Sequence, residues 1–286
     1  MIAEAGPSDA AAAGGPSGGG ARRTGAAAHS AFVLHSYDWS ETSLIVELFT
    51  RDAGRVAAAA KGAKRPTSQL RALLMPFQLV SVQFARTRGD AAAEVRTLRS
   101  AEWGGGAVIN LHGPDWFTGF YLNELVLRLL ARDDPHARLF DAYAGTLRSL
   151  GHGEARSEAA LRAFELVLLR ETGVLPDLAH TTLTQQPLSP GLRYALHPEQ
   201  GLVDAAARDA SLGSDTWLEL ATALQSWTAS DDDALPALQR ACARESQALK
   251  VLLRNQLHYH LGGVQLRTRQ LATDTQRLLD SKAPPR

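Results

Sequence analysis

The residue types that could carry out chemistry in this chain are few and scattered. His258 and His260 sit two positions apart. On a helix that separation turns the imidazoles about 200° away from one another, so they cannot share a metal. Asp231, Asp232 and Asp233 form an acidic run after Ser230 and ahead of a helical segment, which suits a solvated loop with capping carboxylates. The single cysteine, Cys242, lies between alanines and reads as a buried thiol. No glycine-rich phosphate cradle, Walker-type loop or Gly-x-Ser-x-Gly elbow is present. No catalytic constellation emerges, and neither a cofactor nor a metal is expected.

Cations give a richer pattern. The formal net charge is zero, but its distribution is uneven. Residues 22–100 hold 12 basic and 6 acidic residues, residues 101–243 hold 10 and 19, and residues 244–286 hold 8 and 3. Two basic ends therefore flank an acidic middle, a hint of polyanion binding that the total conceals. The first end carries Arg51, Arg55, Lys61, Lys64, Arg65, Arg71, Arg86, Arg88, Arg96 and Arg99. Several of these fall at turns, where a long cation reaches solvent and can meet a backbone phosphate. Lys61, Lys64 and Arg65 make a compact basic loop between Gly62 and Pro66. Tyr37 and Trp39, next to the expected first strand, are candidate stacking platforms for unpaired bases, with a place in the small domain's core as the alternative for Trp39.

These residues need a scaffold, and the periodicity supplies one. Residues 1–28 are mostly Ala, Gly, Ser and Pro, which predicts a disordered extension. Arg22 and Arg23 follow the small residues and no leucine-rich run appears, so it does not read as a secretory signal. Within 29–104, five short strands are expected: Ala31–Tyr37, Ser43–Thr50, Arg55–Lys61, Phe77–Phe84 and Glu94–Arg99. Four consecutive alanines weaken the third assignment. Five short strands with a short element between the third and fourth suit an OB-fold barrel, with an SH3-like barrel as the alternative.

Trp103-Gly104-Gly105-Gly106 marks a boundary, and residues 105–280 then follow helical spacing. Expected helices are Trp116–Leu130, Leu139–Leu150, a third beginning at a capping Ser157, Asp215–Ala229, Leu235–His260 and Gln265–Leu279. An irregular insert is expected near 175–215 and a flexible tail at 281–286. The fold class is thus α+β multidomain, a five-stranded barrel followed by an α-helical domain. With 45% hydrophobic residues the chain can form a real core, and one cysteine excludes a disulfide framework. No apolar run reaches the roughly 18–20 residues of a membrane span.

The residues also resemble a known family. Phe32-Val33-Leu34-His35-Ser36, Trp39-Ser40-Glu41-Thr42-Ser43, Gly54-Arg55-Val56 and Ala60-Lys61-Gly62-Ala63-Lys64-Arg65 are similar to the start of the bacterial RecO recombination mediators. Gly119 to Leu125, Leu139 to Tyr143, Leu161 to Glu165, and Tyr259 to Gly263 followed by Leu266-Arg267-Thr268-Arg269 continue the match. The resemblance implies an OB barrel with a helical domain. It implies binding of single- and double-stranded DNA and annealing of complementary strands. RecR would be a partner, helping RecA load on DNA coated by single-strand-binding protein, and the location would be cytoplasmic and nucleoid-associated. Arg267 and Arg269 join the DNA-binding candidates. Arg162 occupies the position of an arginine implicated in binding the acidic C-terminal tail of single-strand-binding protein. Some relatives carry a cysteine-rich zinc site after the third helix. Here that stretch offers His180 and then Gly201 to Ala207 without cysteine, so no zinc is expected. The alternative function is an adaptor whose barrel binds acidic tails with little direct DNA role.

Overall fold

The computed structural model describes residues 27–85, 94–106, 108–226 and 234–282. The extension before residue 27, the 86–93 segment with Arg86 and Arg88, the aspartate run and the last four residues lie outside the described residues.

Five strands form a closed barrel: β1 (Ala28–Asp38), β2 (Leu44–Thr50), β3 (Gly54–Ala60), β4 (Leu79–Phe84) and β5 (Arg96–Trp103), in the order β1-β2-β3-β5-β4. β1 pairs antiparallel with both β2 and β4, while β3 closes on β5 in parallel at Ala58–Arg96 and Ala59–Thr97. With the single-turn helix α1 (Leu70–Leu73) between β3 and β4, this is the OB arrangement, which decides against the SH3-like alternative. All five strands stand where the alternation puts them, although β5 continues four residues beyond Arg99.

Alternation along β1 and β2 separates two apolar faces. Ala31, Val33, Val46 and Leu48 point into the barrel with Val56, Ala58 and Ala60. Phe32, Leu34 and Phe49 point outward, and they are equally buried because the helical domain covers them. A strand buried on both faces reads as a continuous apolar run. The same holds for the four alanines, all at most 5% exposed. Phe32 and Phe49 pack against Phe140 and Tyr143, with centroids 5.0–6.0 Å apart. Asn123 donates to the carbonyl of Leu34 at 2.8 Å and accepts from the Tyr143 hydroxyl, so the aromatic junction has its buried polar groups paired.

The helical part contains α2 (Pro114–Leu129), α3 (Ala137–Ser149), α4 (Glu154–Glu171), α5 (Ser214–Gln225), α6 (Ala234–Ala243), α7 (Ser246–His260) and α8 (Arg267–Lys282). Three expectations change. The helix expected from Ser157 starts at Glu154, with Gly153 at its cap, and Ser157 is buried inside. The 175–215 insert is irregular only at first. It then forms a small antiparallel sheet of β6 (Arg193–His197), β7 (Gly201–Asp204) and β8 (Leu212–Gly213). The buried face of α2 runs through Tyr121, Leu122, Leu125 and Val126, leaving Phe117, Phe120 and Leu129 only partly covered. The expected Leu235–His260 helix is two helices. Glu245, at the cap of the second, accepts from the Gly213 amide at 3.0 Å and the Thr216 hydroxyl at 2.9 Å, which ties the break to the sheet.

α4 runs through the centre of this domain. From Ala159 to Leu169 every side chain except Leu161 is buried. A helix apolar on all sides belongs inside a domain, and this one carries two charged residues there, Arg162 and Glu165.

Candidate functional site

The barrel cations divide into two groups. Arg51 forms a bidentate pair with Asp141 of α3, at 3.0 and 2.9 Å, and the hydrogen bonding and charge of that carboxylate raise its pKa. Arg55 lies 3.5 Å from Glu47, and Arg132 pairs with the other oxygen of the same buried carboxylate. Arg96 pairs with Asp133 and stacks over Phe84. Arg51 and Arg96 therefore join the barrel to the helical domain, Arg55 is held within the barrel by Glu47, and phosphate contact would have to break these pairs. The Arg51 and Arg96 pairs arise from the acidic middle of the chain, which places Asp133 and Asp141 against the barrel.

Lys61, Arg65, Arg71 and Arg99 are exposed and have no ion-pair partner among the described residues. Lys64 reaches across to Asp38 at 3.1 Å and to the Ser40 carbonyl at 3.0 Å. The Lys64 amide donates to the Thr42 carbonyl and the Gly62 amide to the Ser43 hydroxyl. These bonds hold the basic loop 61–66 against the β1–β2 loop. Trp39 on that loop is 56% exposed and Tyr37 is 48% exposed, its edge toward the His35 ring. Neither is a core residue. Exposed rings beside unpaired cations at one end of an OB barrel form the arrangement that takes single strands by stacking and phosphate attraction.

A second site lies in the helical domain. Phe117 and Tyr121 of α2, Leu161 and Arg162 of α4, Lys250 and Arg254 of α7, and Arg269 and Ala272 of α8 line a pocket of about 200 Å³. Arg162 lines this pocket and is only 4% exposed. Its Nη1 is 2.7 Å from Glu165, whose other oxygen accepts from the Tyr121 hydroxyl at 2.6 Å. Arg269 donates to that hydroxyl at 3.2 Å and lies over the Tyr121 ring. Burial pushes Glu165 up, against the opposing pull of Arg162, and pushes Tyr121 well up. Arg162 Nη1 is thus held by Glu165, while its Nε is buried without a hydrogen-bond partner. Sequence reasoning missed Tyr121, Lys250 and Arg254 here. The signal available was the i, i+3 spacing of Arg162 and Glu165 in an otherwise apolar helix. Arg267 is exposed, and its backbone amide joins that of Thr268 in donating to Glu124 at 3.0 Å.

Glu124 thus fixes the start of α8, which forms one wall of the pocket. Burial acts to raise its pKa, but the bonds from Thr268, Arg267 and Arg128 together bring it below the usual carboxylate range. A lowered folded pKa gives stability that is present above about 4.3 and lost as pH falls through the folded value. Hydrogen exchange in α8 should therefore accelerate relative to the barrel strands between about pH 7 and pH 3. Glu124→Gln should already show fast α8 exchange at neutral pH. Equal protection of α8 in both proteins would refute the anchoring.

No cluster of three or more His, Cys, Asp or Glu suited to a metal occurs among the described residues, and Cys242 is fully buried. No helix among the described residues is long and apolar enough to cross a membrane.

Comparison with known proteins agrees over both parts. The family model for the recombination protein O N-terminal region matches residues 27–103, and that for its C-terminal region matches residues 115–270. A DNA repair protein RecO of Verminephrobacter eiseniae is 51% identical over 257 residues, covering 88% of this chain and 97% of that protein. Those of Delftia acidovorans and Acidovorax ebreus are 51% and 49% identical, covering 87% and 88% of the chain and 96% and 98% of the relatives. An OB barrel with a basic, aromatic end, fused to a helical domain and matched along nearly its whole described length, places this chain in the RecO family of DNA repair proteins.

Proposed function

We propose that the chain is a recombination mediator that binds single- and double-stranded DNA and anneals complementary strands without breaking a covalent bond. With RecR it helps RecA load on strands coated by single-strand-binding protein, in the cytoplasm at the nucleoid. The observation that carries the DNA reading is the packing of the basic loop Lys61–Arg65 against the loop that exposes Trp39. Cations free of ion pairs attract phosphates, and rings with open faces stack bases. Arg71, Arg99 and Arg267 extend this set as exposed cations without side-chain partners among the described residues. Arg86 and Arg88 belong to the same proposed interface.

The helical pocket supports the second half of the proposal. The tail of single-strand-binding protein is acidic and ends in an apolar residue with a free carboxylate. Phe117, Tyr121 and Leu161 suit that residue, while Arg162 and Arg269 suit its carboxylate. Arg269 passes from the DNA set to this pocket, since its guanidinium faces Tyr121.

The DNA test is the triple substitution Lys61→Ala, Lys64→Ala and Arg65→Ala. Each lost single-strand phosphate contact lowers the slope of log affinity against log salt by about 0.7, so loss of the unpaired Lys61 and Arg65 should lower it by about 1.4, with a smaller addition from Lys64, which is paired with Asp38. Affinity should fall alike for all base sequences. An unchanged salt slope would remove the loop from the interface. Single-strand binding absent from the wild type at low salt, with tail peptide still bound, would favour a tail-binding adaptor.

A further inference from the structure

OB barrels take oligonucleotides on the face of their second and third strands. In this molecule that face is covered from within. The outward residues Glu47 and Phe49 of β2 and Ala57 and Ala59 of β3 are each at most 5% exposed. Phe140 and Tyr143 of α3 lie over Phe49. The loop between α2 and α3 lies along the part of β3 that β5 leaves unpaired, where Arg132 bridges to Arg55 and the Asp133 amide donates to the Arg55 carbonyl at 3.0 Å. This cover sets a carboxylate on each of two barrel arginines. Asp141 accepts from Nε and Nη2 of Arg51, the same fork with which a guanidinium takes a phosphate. Asp133 accepts from Arg96. Both pairs stay open to water, with side chains 44% and 31% exposed at Arg51 and Asp141 and 31% and 41% at Arg96 and Asp133.

We propose that Asp133 and Asp141 stand in for phosphates, so that the helical domain is a built-in competitor which limits the barrel's affinity for DNA. This rests on the reading of the barrel as the DNA-binding part. The two arginines continue a line from the basic loop. Arg96 stands beside Ala58, three residues before Lys61, which is about 10 Å along a strand. Arg51 follows Thr50, which pairs with Gly54 at the far end of β3. A strand held at the loop 61–66 therefore meets Arg96 and then Arg51 as it follows β3. With the pairs closed, each site is neutral and its carboxylate repels the incoming phosphate. The carboxylates are attached to the same chain, so a phosphate has to displace a partner that is always present. Exposed ion pairs are individually weak, and they can exchange partners by side-chain rotation while the aromatic junction stays closed. A protein that anneals strands has to release the duplex it makes, and a ceiling on affinity serves that step.

The test is a mutant cycle on the full-length protein, read by binding of a labelled oligothymidylate across a salt series. Asp133→Asn combined with Asp141→Asn keeps the size and one accepting oxygen of each side chain, and asparagine tolerates the φ of +59° at position 133. This variant should bind about fivefold more tightly than wild type at low salt, with a salt slope steeper by about 0.7 for each arginine that gains a phosphate. Arg51→Ala combined with Arg96→Ala should change wild-type affinity less than twofold, because those cations are already occupied. In the asparagine background the same two alanines should erase the gain. If the double asparagine change loosens α3, seen as faster hydrogen exchange there, Asp141→Asn with Arg51→Ala completes the cycle for one pair. Unchanged affinity and slope in the asparagine variant would mean that the carboxylates only brace the junction, which overturns the inference and leaves the DNA reading standing. A gain that survives removal of both arginines would be general relief of repulsion and would overturn it too. An equal loss on removing the arginines in both backgrounds would show that they hold DNA with the carboxylates in place, again against the inference. If neither wild type nor the asparagine variant binds the strand at low salt, the DNA reading fails and this inference with it.

Discussion

Arg162→Ala should cost about 3–5 kcal/mol of folding stability, because it leaves the fully buried Glu165 facing only Tyr121. A carboxylate in that position, 0% exposed, has lost the one ion-pair partner it has among the described residues. The loss should depend on pH. Burial already raises the folded pKa of Glu165 above its unfolded value, so its charged form destabilises the fold as pH rises through the interval between them. Arg162 opposes that rise, and removing it raises the folded value further and extends the interval at its upper end. The deficit of Arg162→Ala in urea unfolding should therefore be smaller near pH 5 than near pH 8. Replacing both charges by apolar residues of similar volume, Arg162→Met with Glu165→Leu, should recover most of the stability while leaving tail binding impaired. The double variant thus separates loss of a ligand contact from loss of the fold, which the alanine variant alone confounds. A deficit of Arg162→Ala below about 1 kcal/mol at all pH values would mean the pair is not sealed from water.

The second large effect is expected at the junction. Gly54, at the turn between β2 and β3, has φ +69°, and a Cβ there would lie 2.0 Å from the carbonyl oxygen of Asp134 and 2.4 Å from its carbon. Backbone atoms cannot swing aside as the end of a side chain can. The 131–136 loop would have to withdraw. With it would go the Arg132–Glu47 and Arg96–Asp133 pairs and the bond from the Asp133 amide to the Arg55 carbonyl. Gly54→Ala should lose on the order of 3 kcal/mol, adding the positive-φ strain to the clash. For a chain of this size that is roughly 6–12 °C in melting temperature. Gly105 is the control, with φ +85° and nothing near its missing Cβ. Gly105→Ala should lose only about 1 kcal/mol. Equal losses at the two glycines would show that the loop yields freely and that the junction is soft.

The barrel was legible in the sequence because its strands alternate, and even the alanine run Ala57–Ala60 took its place between β2 and β5. The free cations Lys61 and Arg65 and the exposed Trp39 were also readable, because loops with Gly and Pro put side chains in solvent. The partners of Arg51 and Arg96 were not. Asp141 lies 90 residues from Arg51 and Asp133 lies 37 residues from Arg96, and pairing at such distances depends on how the helical domain meets the barrel. The break at Glu245 was hidden for the same reason, since it depends on Gly213 and Thr216. Burial of Arg162 was partly visible. From Ala159 to Leu169 only Arg162 and Glu165 interrupt an apolar run, a pattern for a central helix with an internal ion pair rather than an amphipathic one.

The outward-facing Phe32, Leu34, Phe49 and Phe77 belong to the same core as Tyr143 and Leu147. During synthesis the barrel emerges first, and all its strands are complete by Trp103. Its covering helices arrive only when about forty more residues have been added, a few seconds at ribosomal speed. Until then the newborn barrel presents a sticky aromatic flank, and a trigger-type chaperone or the nascent α2 has to shield it. For this molecule the order of translation is a hazard that the finished structure no longer displays.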